Sequence, residues 1–517
     1  MLYSIENREG EITMVLSLKT ELKKAFNNKL FYLSLIINCI ITIIAGIVSV
    51  LYSKKSFGMI HASENPWLPV NTLYQYWIAD DMSSVAPYIF YVLLPLTACL
   101  AYGWSYSTEL RSGYIKNVLI RTTRKNYYIS KFIATFLSGA CVAFIPILLN
   151  ILVVACFIPA VKPDIYYSFS YIHYSGIMLS KLFFTHPIMY LIAMTLLTSL
   201  FSGIYACLSL ALSFFVKNKI AVTTVPFILL LIANYATGMF RDMLQNIGEL
   251  SPLKFLHATA GNLIYLHNAI IELVVLFIIT GLITIIRGTK NDLKNGCASS
   301  FKKYLLVMCM TAAFCFDYYI RYRNFCTLNS VSASSSLADY VFYIFAGKEE
   351  YKPVIGQSFS FPSIWTLLFV FAMFITLIYP FKDLNGFGKF VLINTRSRKT
   401  WWYSKCCWII VTIAIINMII LSAIMIFGLI TKASFSGEVS EYCIAISNNK
   451  FDYYMYKSFH IGLKLVLPFF IMVAMSMLQM TISLVVKPNV SFMLTVTHII
   501  SAAFYKTPFL FSTMQCC

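Results

Sequence analysis

Charge is scarce in this chain, and so are the residue patterns that carry chemistry. Only 12% of its 517 residues are Asp, Glu, Lys or Arg, while 59% are hydrophobic and the mean hydropathy is +0.75. That polar surface is too small to cover a soluble globule of this length, so the expected class is an integral membrane protein. Seven histidines are scattered without a carboxylate partner in a recognisable array. His61, His173, His186, His257 and His267 fall in outer segments or at the edges of apolar runs, where they are expected to be solvated or satisfied in the core. There is no GxxxxGK[ST] phosphate cradle, no HExxH helix, no GxSxG elbow and no spaced cysteine cluster. The sequence therefore offers no catalytic residue, no metal site and no cofactor site. The fourteen cysteines do not form a disulfide framework, because Cys39, Cys99, Cys141, Cys156, Cys207, Cys309 and Cys315 lie in or beside apolar runs. Cys406-Cys407 and Cys516-Cys517 are adjacent pairs that admit either palmitoylation or plain lipid-facing packing. The first 29 residues hold acids (Glu6, Glu9, Glu11) and no short apolar core with a cleavage site, so they are expected to stay attached.

What is present is a repeat. Residues 109–131, ELRSGYIKNVLIRTTRKNYYISK, are echoed at 383–405, DLNGFGKFVLINTRSRKTWWYSK. With one residue slipped, Gly113 pairs with Gly386, Lys116 with Lys389, Thr122 with Thr395, Arg124-Lys125 with Arg398-Lys399, Tyr127-Tyr128 with Trp401-Trp402 and Ser130-Lys131 with Ser404-Lys405. Each copy carries six Lys or Arg against one acid when Lys382 is counted with the second, and each lies between two apolar runs. The echo continues from 209–225 to 479–496, where Lys217 and Lys487 occupy the same place between closely joined runs.

A bilayer core about 30 Å thick needs about 20 apolar residues of helix. The first half offers six such runs, near 30–52, 88–106, 132–158, 188–216, 220–238 and 264–286, and the second about five, near 303–320, 362–380, 406–430, 460–486 and 489–511. The expected fold is an all-α polytopic bundle of about eleven spans in two related halves, 30–290 and 291–517, preceded by a segment 1–29. In that segment Val15, Leu16, Leu18, Leu22 and Phe26 alternate with lysines, which suits an amphipathic helix on the inner membrane face or an extension of the first span. A cytoplasmic N-terminus puts Lys19 to Lys29, both basic loops, Lys217, Lys219, Arg287 to Lys303 and Lys487 on one side. The formal charge of +19 is thereby read as topology and contact with anionic lipid, with no nucleic acid implied. A twelfth span is expected by symmetry, yet the chain stops at Cys517, so either a helix is lost or the sequence is truncated.

Charge within the spans is rarer still. Glu272, one turn beyond His267 and Asn268, is the best candidate for a polar group facing the bundle interior. Asp317 has Arg321 one turn on, which reads as a local i,i+4 pair, and Lys464 can snorkel. Without a file of intramembrane acids, a proton- or ion-coupled carrier is disfavoured.

A second run ending in Glu109-x-x-x-Gly113, then a basic stretch with Arg121, Arg124-Lys125 and Ser130-Lys131 opening the third, resembles the permeases of type-2 ATP-binding-cassette exporters. Ser251-Pro252-Leu253-Lys254-Phe255-Leu256 is similar to that family's re-entrant segment. The resemblance covers about 15–290 well and 303–511 as a degenerate copy. It implies a permease in the bacterial plasma membrane whose ATP is bound and hydrolysed by separate cytoplasmic ATPase subunits, the two halves acting as an internal pseudo-dimer or the chain as a homodimer. It further implies coupling elements at 15–29, 109–131 and 383–405: Glu109 anchors the loop through basic neighbours, Gly113 allows its turn, and Arg124, Lys125 and Lys131 contact the ATPase or lipid phosphates. Lys116, and Gly386, Lys389, Arg398, Lys399 and Lys405 in the second copy, are further coupling-loop candidates. Positive-inside anchoring explains the same cations equally well. The second copy departs from the pattern, since Asp383 replaces Glu and stands three residues before Gly386. The expected cargo is hydrophobic or amphipathic, peptide antibiotics or bacteriocins first. The competing class is a non-transporting membrane scaffold, sensor or immunity protein.

Overall fold

The computed structural model describes residues 2–63, 71–81, 84–171, 173, 177–216, 218–240, 248–257, 264–289, 300–329, 335–345, 362–384, 388–389, 398–437, 439–440, 442–443 and 461–502. Among these, regular structure is helical throughout, apart from one isolated bridge between Ser336 and Ser434. The chain divides into two compact units, one of residues 1–296 with 352–359 and one of 297–351 with 360–517. Among the described residues, ten helices are long and apolar enough to cross a membrane, so the fold is an all-α polytopic bundle.

In the first unit, α1 (Leu2–Phe26) is followed after a two-residue break by α2 (Lys29–Ser63). At the break, the Asn28 side chain accepts from Leu30 N at 3.2 Å and donates to Ala101 O at 2.9 Å. A short α3 (Leu73–Tyr76) precedes α4 (Ala86–Ala98), which runs through a π turn, Cys99–Gly103, into α5 (Ser105–Arg111). Then come α6 (Tyr114–Leu119), α7 (Arg124–Ala155), α8 (Ser180–Thr185), α9 (Pro187–Leu212), α10 (Lys219–Met239), α11 (Pro252–Phe255) and α12 (Leu266–Thr289). Local signals fix the helix starts. The Thr123 hydroxyl accepts from Asn126 N at the head of α7, Asn218 Oδ1 accepts from Ile220 N at the head of α10, and Pro187 opens α9.

The span Ala86–Arg111 is the most enclosed of this unit, with 89% of its apolar stretch buried, while Leu266–Gly288 has 17% of its apolar stretch buried and turns Ile271, Val275, Ile278 and Leu282 outward. Lipid tails are as apolar as these side chains, so close association between helices depends on small residues and polar contacts. Helices α7 and α9 meet that way. A Cβ added at Gly139 would stand 2.6 Å from Ala206 Cβ and 2.9 Å from Ser202 O, and the Ser202 hydroxyl donates to Gly139 O at 2.7 Å.

The second unit holds α13 (Ser300–Asn329), α14 (Leu337–Phe345), α15 (Ser363–Leu384), α16 (Arg398–Ile430), α17 (Ile461–Val485) and α18 (Pro488–Ala502). Its long helices follow the order of α2, α4, α7, α9 and α10, with α14 in the place of α3. Again the second long helix is the most enclosed of the spans, with 76% of its apolar stretch within Ser363–Phe381 buried. Ten of the eleven expected runs meet the length and hydropathy of a span. The eleventh is α18, 15 residues long, and the rest of that run lies outside the described residues.

Candidate functional site

The turn after α5 needs a left-handed residue, and Gly113 supplies it with φ +72°. The turn brings the Tyr114 ring to 4.3 Å from the Lys24 ammonium of α1, next to a buried cluster of two acids and two lysines. Lys131 Nζ, on the second turn of α7, lies 2.6 Å from Glu109 Oε2 and 3.0 Å from Glu21 Oε2. Lys24 Nζ lies 2.8 Å from Glu21 Oε1 and 3.2 Å from Glu109 Oε1. Each lysine thus bridges both carboxylates. The hydroxyl of Tyr102, in the π turn, donates to Glu21 Oε2 at 2.9 Å, and that of Tyr127 donates to Glu109 Oε2. Lys131 is fully buried and Glu21 is 2% exposed. Such burial is tolerable only because the charges cancel and the oxygens are hydrogen-bonded. Burial alone would push the Glu21 carboxyl up, but Lys131 and Lys24 outweigh it and hold it below the usual carboxylate range. Burial likewise opposes the Lys24 charge, yet its bond to Glu21 and the field of Glu109 raise its pKa.

The second unit repeats this arrangement in reduced form. Lys405 Nζ lies 2.8 Å from Asp383 Oδ2, Trp401 Nε1 donates to the same oxygen at 3.0 Å, and Lys405 donates to the Tyr379 hydroxyl at 3.3 Å. The acid precedes the aromatic donor by 18 residues in both units, and precedes the lysine by 22 in both. Tyr127 and Trp401 differ as residues but perform one task, an aromatic N–H or O–H given to the acid. The lysine sits over two rings each time, at 5.0 and 5.6 Å for Lys131 and at 4.6 and 5.9 Å for Lys405. Burial raises the Asp383 carboxyl, but the bonds from Lys405 and Trp401 outweigh this and leave it lowered.

The other residues singled out from sequence separate by exposure. Lys116, Arg124, Lys125, Lys389, Arg398 and Lys399 are exposed, and Ile120 stands 83% exposed among the first-unit cations. Lys131 and Lys405 do not join them. Both are buried and paired with acids of their own unit. Gly386 lies outside the described residues, as does the side chain of Lys464. Glu272 is half-buried on α12 and has no ion-pair partner among the described residues. Asp317 pairs with Arg321 at 2.9 Å and accepts from the Tyr343 hydroxyl at 2.8 Å. Glu21, Lys24, Tyr102 and Tyr379 were not foreseen. For Glu21 a signal existed, because it is the only acid in residues 12–63 and sits among lysines.

A second cluster lies at the opposite end of the first unit. Asp80 and Asp81 are each 1% exposed. Trp77 Nε1 donates to Asp80 at 2.7 Å and the Tyr190 hydroxyl at 2.8 Å, while Ser49 and Ser84 donate to Asp81 at 2.6 and 2.9 Å. His173 Nε2 stands 3.2 Å from Asp80 Oδ1, so a histidine does meet a carboxylate here, contrary to the sequence reading. The fold brings together residues 93 positions apart, which no local spacing reveals. Among the described residues no group of three His, Cys, Asp or Glu is arranged to hold a metal ion.

A family described as "Protein of unknown function (DUF2705)" matches residues 71–294. The match takes in Asp80, Glu109 and Lys131. Comparison with curated proteins and with solved structures returns no match.

Proposed function

We propose that this chain is the transmembrane permease subunit of an ATP-binding-cassette exporter, moving a hydrophobic or amphipathic substrate out of the cell on ATP hydrolysed by a separate cytoplasmic ATPase. The observation that carries the reading is the acid–lysine–aromatic cluster found in both units at one spacing, each beside an exposed basic segment. In the first unit Glu109 and Lys131 tie α5 and α7 to α1, so a push on the α6 loop reaches three helices as one body. The partner-facing surface is then Lys116, Ile120, Arg121, Arg124 and Lys125, an apolar tip ringed by cations. It suits an acidic-rimmed apolar groove, with anionic lipid taking the outermost cations. ATP chemistry stays on the partner, and the N-terminus and both basic loops face the cytoplasm.

The test is affinity purification from native membranes with ATPase turnover measured in the eluate. A soluble ATPase is expected to co-purify, and Lys116→Glu with Arg124→Glu is expected to reduce its recovery at least tenfold while membrane levels hold. If no ATPase is recovered and membrane ATP hydrolysis is indifferent to Glu109→Gln, the exporter reading fails and a non-transporting scaffold, sensor or immunity protein takes its place.

A further inference from the structure

Both units bury an aspartate at the end away from the basic loops, and in both it belongs to the segment between the first and second long helices. In the first unit residues 71–81 are buried almost without interruption although only four are helical. Such a segment must find partners for its backbone groups. Leu73 N donates to Pro159 O at 3.0 Å, the Thr72 hydroxyl to Val161 O at 2.6 Å, and Ile78 N to the Asn150 side chain at 2.9 Å. Asp80 gathers the remaining pieces. It accepts from Trp77 in its own segment and from Tyr190 at the start of α9, and it lies against His173 in the stretch between α7 and α9.

In the second unit Asp339 is fully buried and accepts from Ser336 N at 2.9 Å, Ser440 N at 2.7 Å and the Ser440 hydroxyl at 3.0 Å. Ser440 lies between α16 and α17, the stretch equivalent to that of His173. Main-chain bonds run alongside, Leu337 N to Ser434 O at 3.0 Å and Ser434 N to Ser335 O at 2.8 Å. The donors differ completely between the units, yet the place of the acid and the segment it captures are the same.

No Lys or Arg pairs with Asp80 or Asp339 among the described residues. Next to Asp80 stands His257, enclosed by Tyr88 and Tyr91 at ring distances of 4.4 and 5.4 Å. Its burial lowers its pKa to about 4, so it is neutral at ordinary pH and does not cancel the charge. A buried carboxylate with no Lys or Arg beside it is a costly way to join two loops compared with Asn or Ser. Each donor that moves away leaves more of the buried charge unsatisfied, so donors from the two segments support one another.

We propose that Asp80 and Asp339 are matching latch residues, each closing the far end of its own unit as a cap of two segments, and that each cap opens as a local step without unfolding of the long helices. The first cap comprises 71–81 with Tyr171, His173 and 177–183, the second 335–345 with 433–437, 439–440 and 442–443. The claim needs neither the ATPase nor the orientation given above, and it is tested on full-length protein in lipid nanodiscs, where both faces meet solvent.

Hydrogen–deuterium exchange read by mass spectrometry is the measurement. Asp80→Asn is expected to speed exchange in 71–81 at least tenfold and leave 335–345 unchanged, and Asp339→Asn to do the reverse. If Asp80→Asn does not fold, Tyr190→Phe decides, since it removes one donor and keeps the carboxylate; faster exchange confined to 71–81 and its partner segment supports the latch. Unchanged exchange in 71–81, or acceleration spread over α7 and α9 as well, overturns it.

Discussion

Replacing Lys131 by Met tests the buried cluster most directly. The side chain is fully buried between Glu109 at 2.6 Å and Glu21 at 3.0 Å. Its loss leaves two carboxylates, 3% and 14% exposed, to share Lys24, which is 29% exposed. Removing one member of a buried ion pair costs about 3–5 kcal/mol because the other is left uncompensated. Lys24 still neutralises one acid, so the lower end, about 3 kcal/mol, is expected. At about 2–4 °C per kcal/mol for a unit of this size, the thermal midpoint falls by roughly 6–12 °C. Fluorescence-detected size-exclusion after heating in detergent measures it at neutral pH. Glu109→Gln in the same chain removes the orphaned charge and is expected to restore about 1–2 kcal/mol, with little response to added salt because the site is shielded from solvent. A midpoint within about 2 °C of the parent, or a double variant that loses the full sum of the single changes, would refute the account of a charge-balanced cluster.

Lys405→Met in the second unit is expected to cost less, about 1–3 kcal/mol, since one acid is orphaned there and Asp383 is 13% exposed; the same heating assay reads it. Acid should loosen both clusters. Glu21 and Asp383 are lowered on folding from ordinary values of 4.5 and 3.8, so their contribution is complete above those values and is lost as pH falls through the lower folded ones. Lys24 is raised from 10.5, so its contribution is present below that value and is lost only as pH rises through the higher folded one. A midpoint-versus-pH curve should therefore be flat through neutrality with an acid limb that Glu21→Gln reduces. Gly139→Val forces a side chain into Ala206 and the Ser202 carbonyl, and a loss of about 1–3 kcal/mol or failure to accumulate in the membrane is expected by the same assay and immunoblot.

The long helices were legible because a span declares itself by length and hydropathy within one stretch of chain. Glu109, Lys131, Asp383 and Lys405 were marked by the repeat, which aligned Tyr127 with Trp401, but the burial of the two lysines was not. Lysines inside a basic loop read alike, and only the packing of α1 against α7 separates buried Lys131 from exposed Arg124 and Lys125. Asp80 was invisible for a different reason. Its partners come from α9 and from the stretch before it, and long-range pairing of single polar residues leaves no periodicity. The apolar pattern of 1–29 suggested one lipid-facing side, whereas Ala25 is buried, Leu22 and Phe26 are half-buried and Val15 and Leu16 are exposed, because Glu21 is drawn into the cluster and sets the rotation of the helix.

The π turn at Cys99–Gly103 inserts one residue more than a regular helix would hold. One residue corresponds to about 100° of rotation about the axis. Everything after it, Glu109 included, is thereby aimed differently from the apolar face that precedes it. Deleting a single residue within this turn would swing Glu109 away from Lys131 while leaving the span long enough to cross. The phase of the second helix, more than its length, decides whether the acid and its lysine can meet.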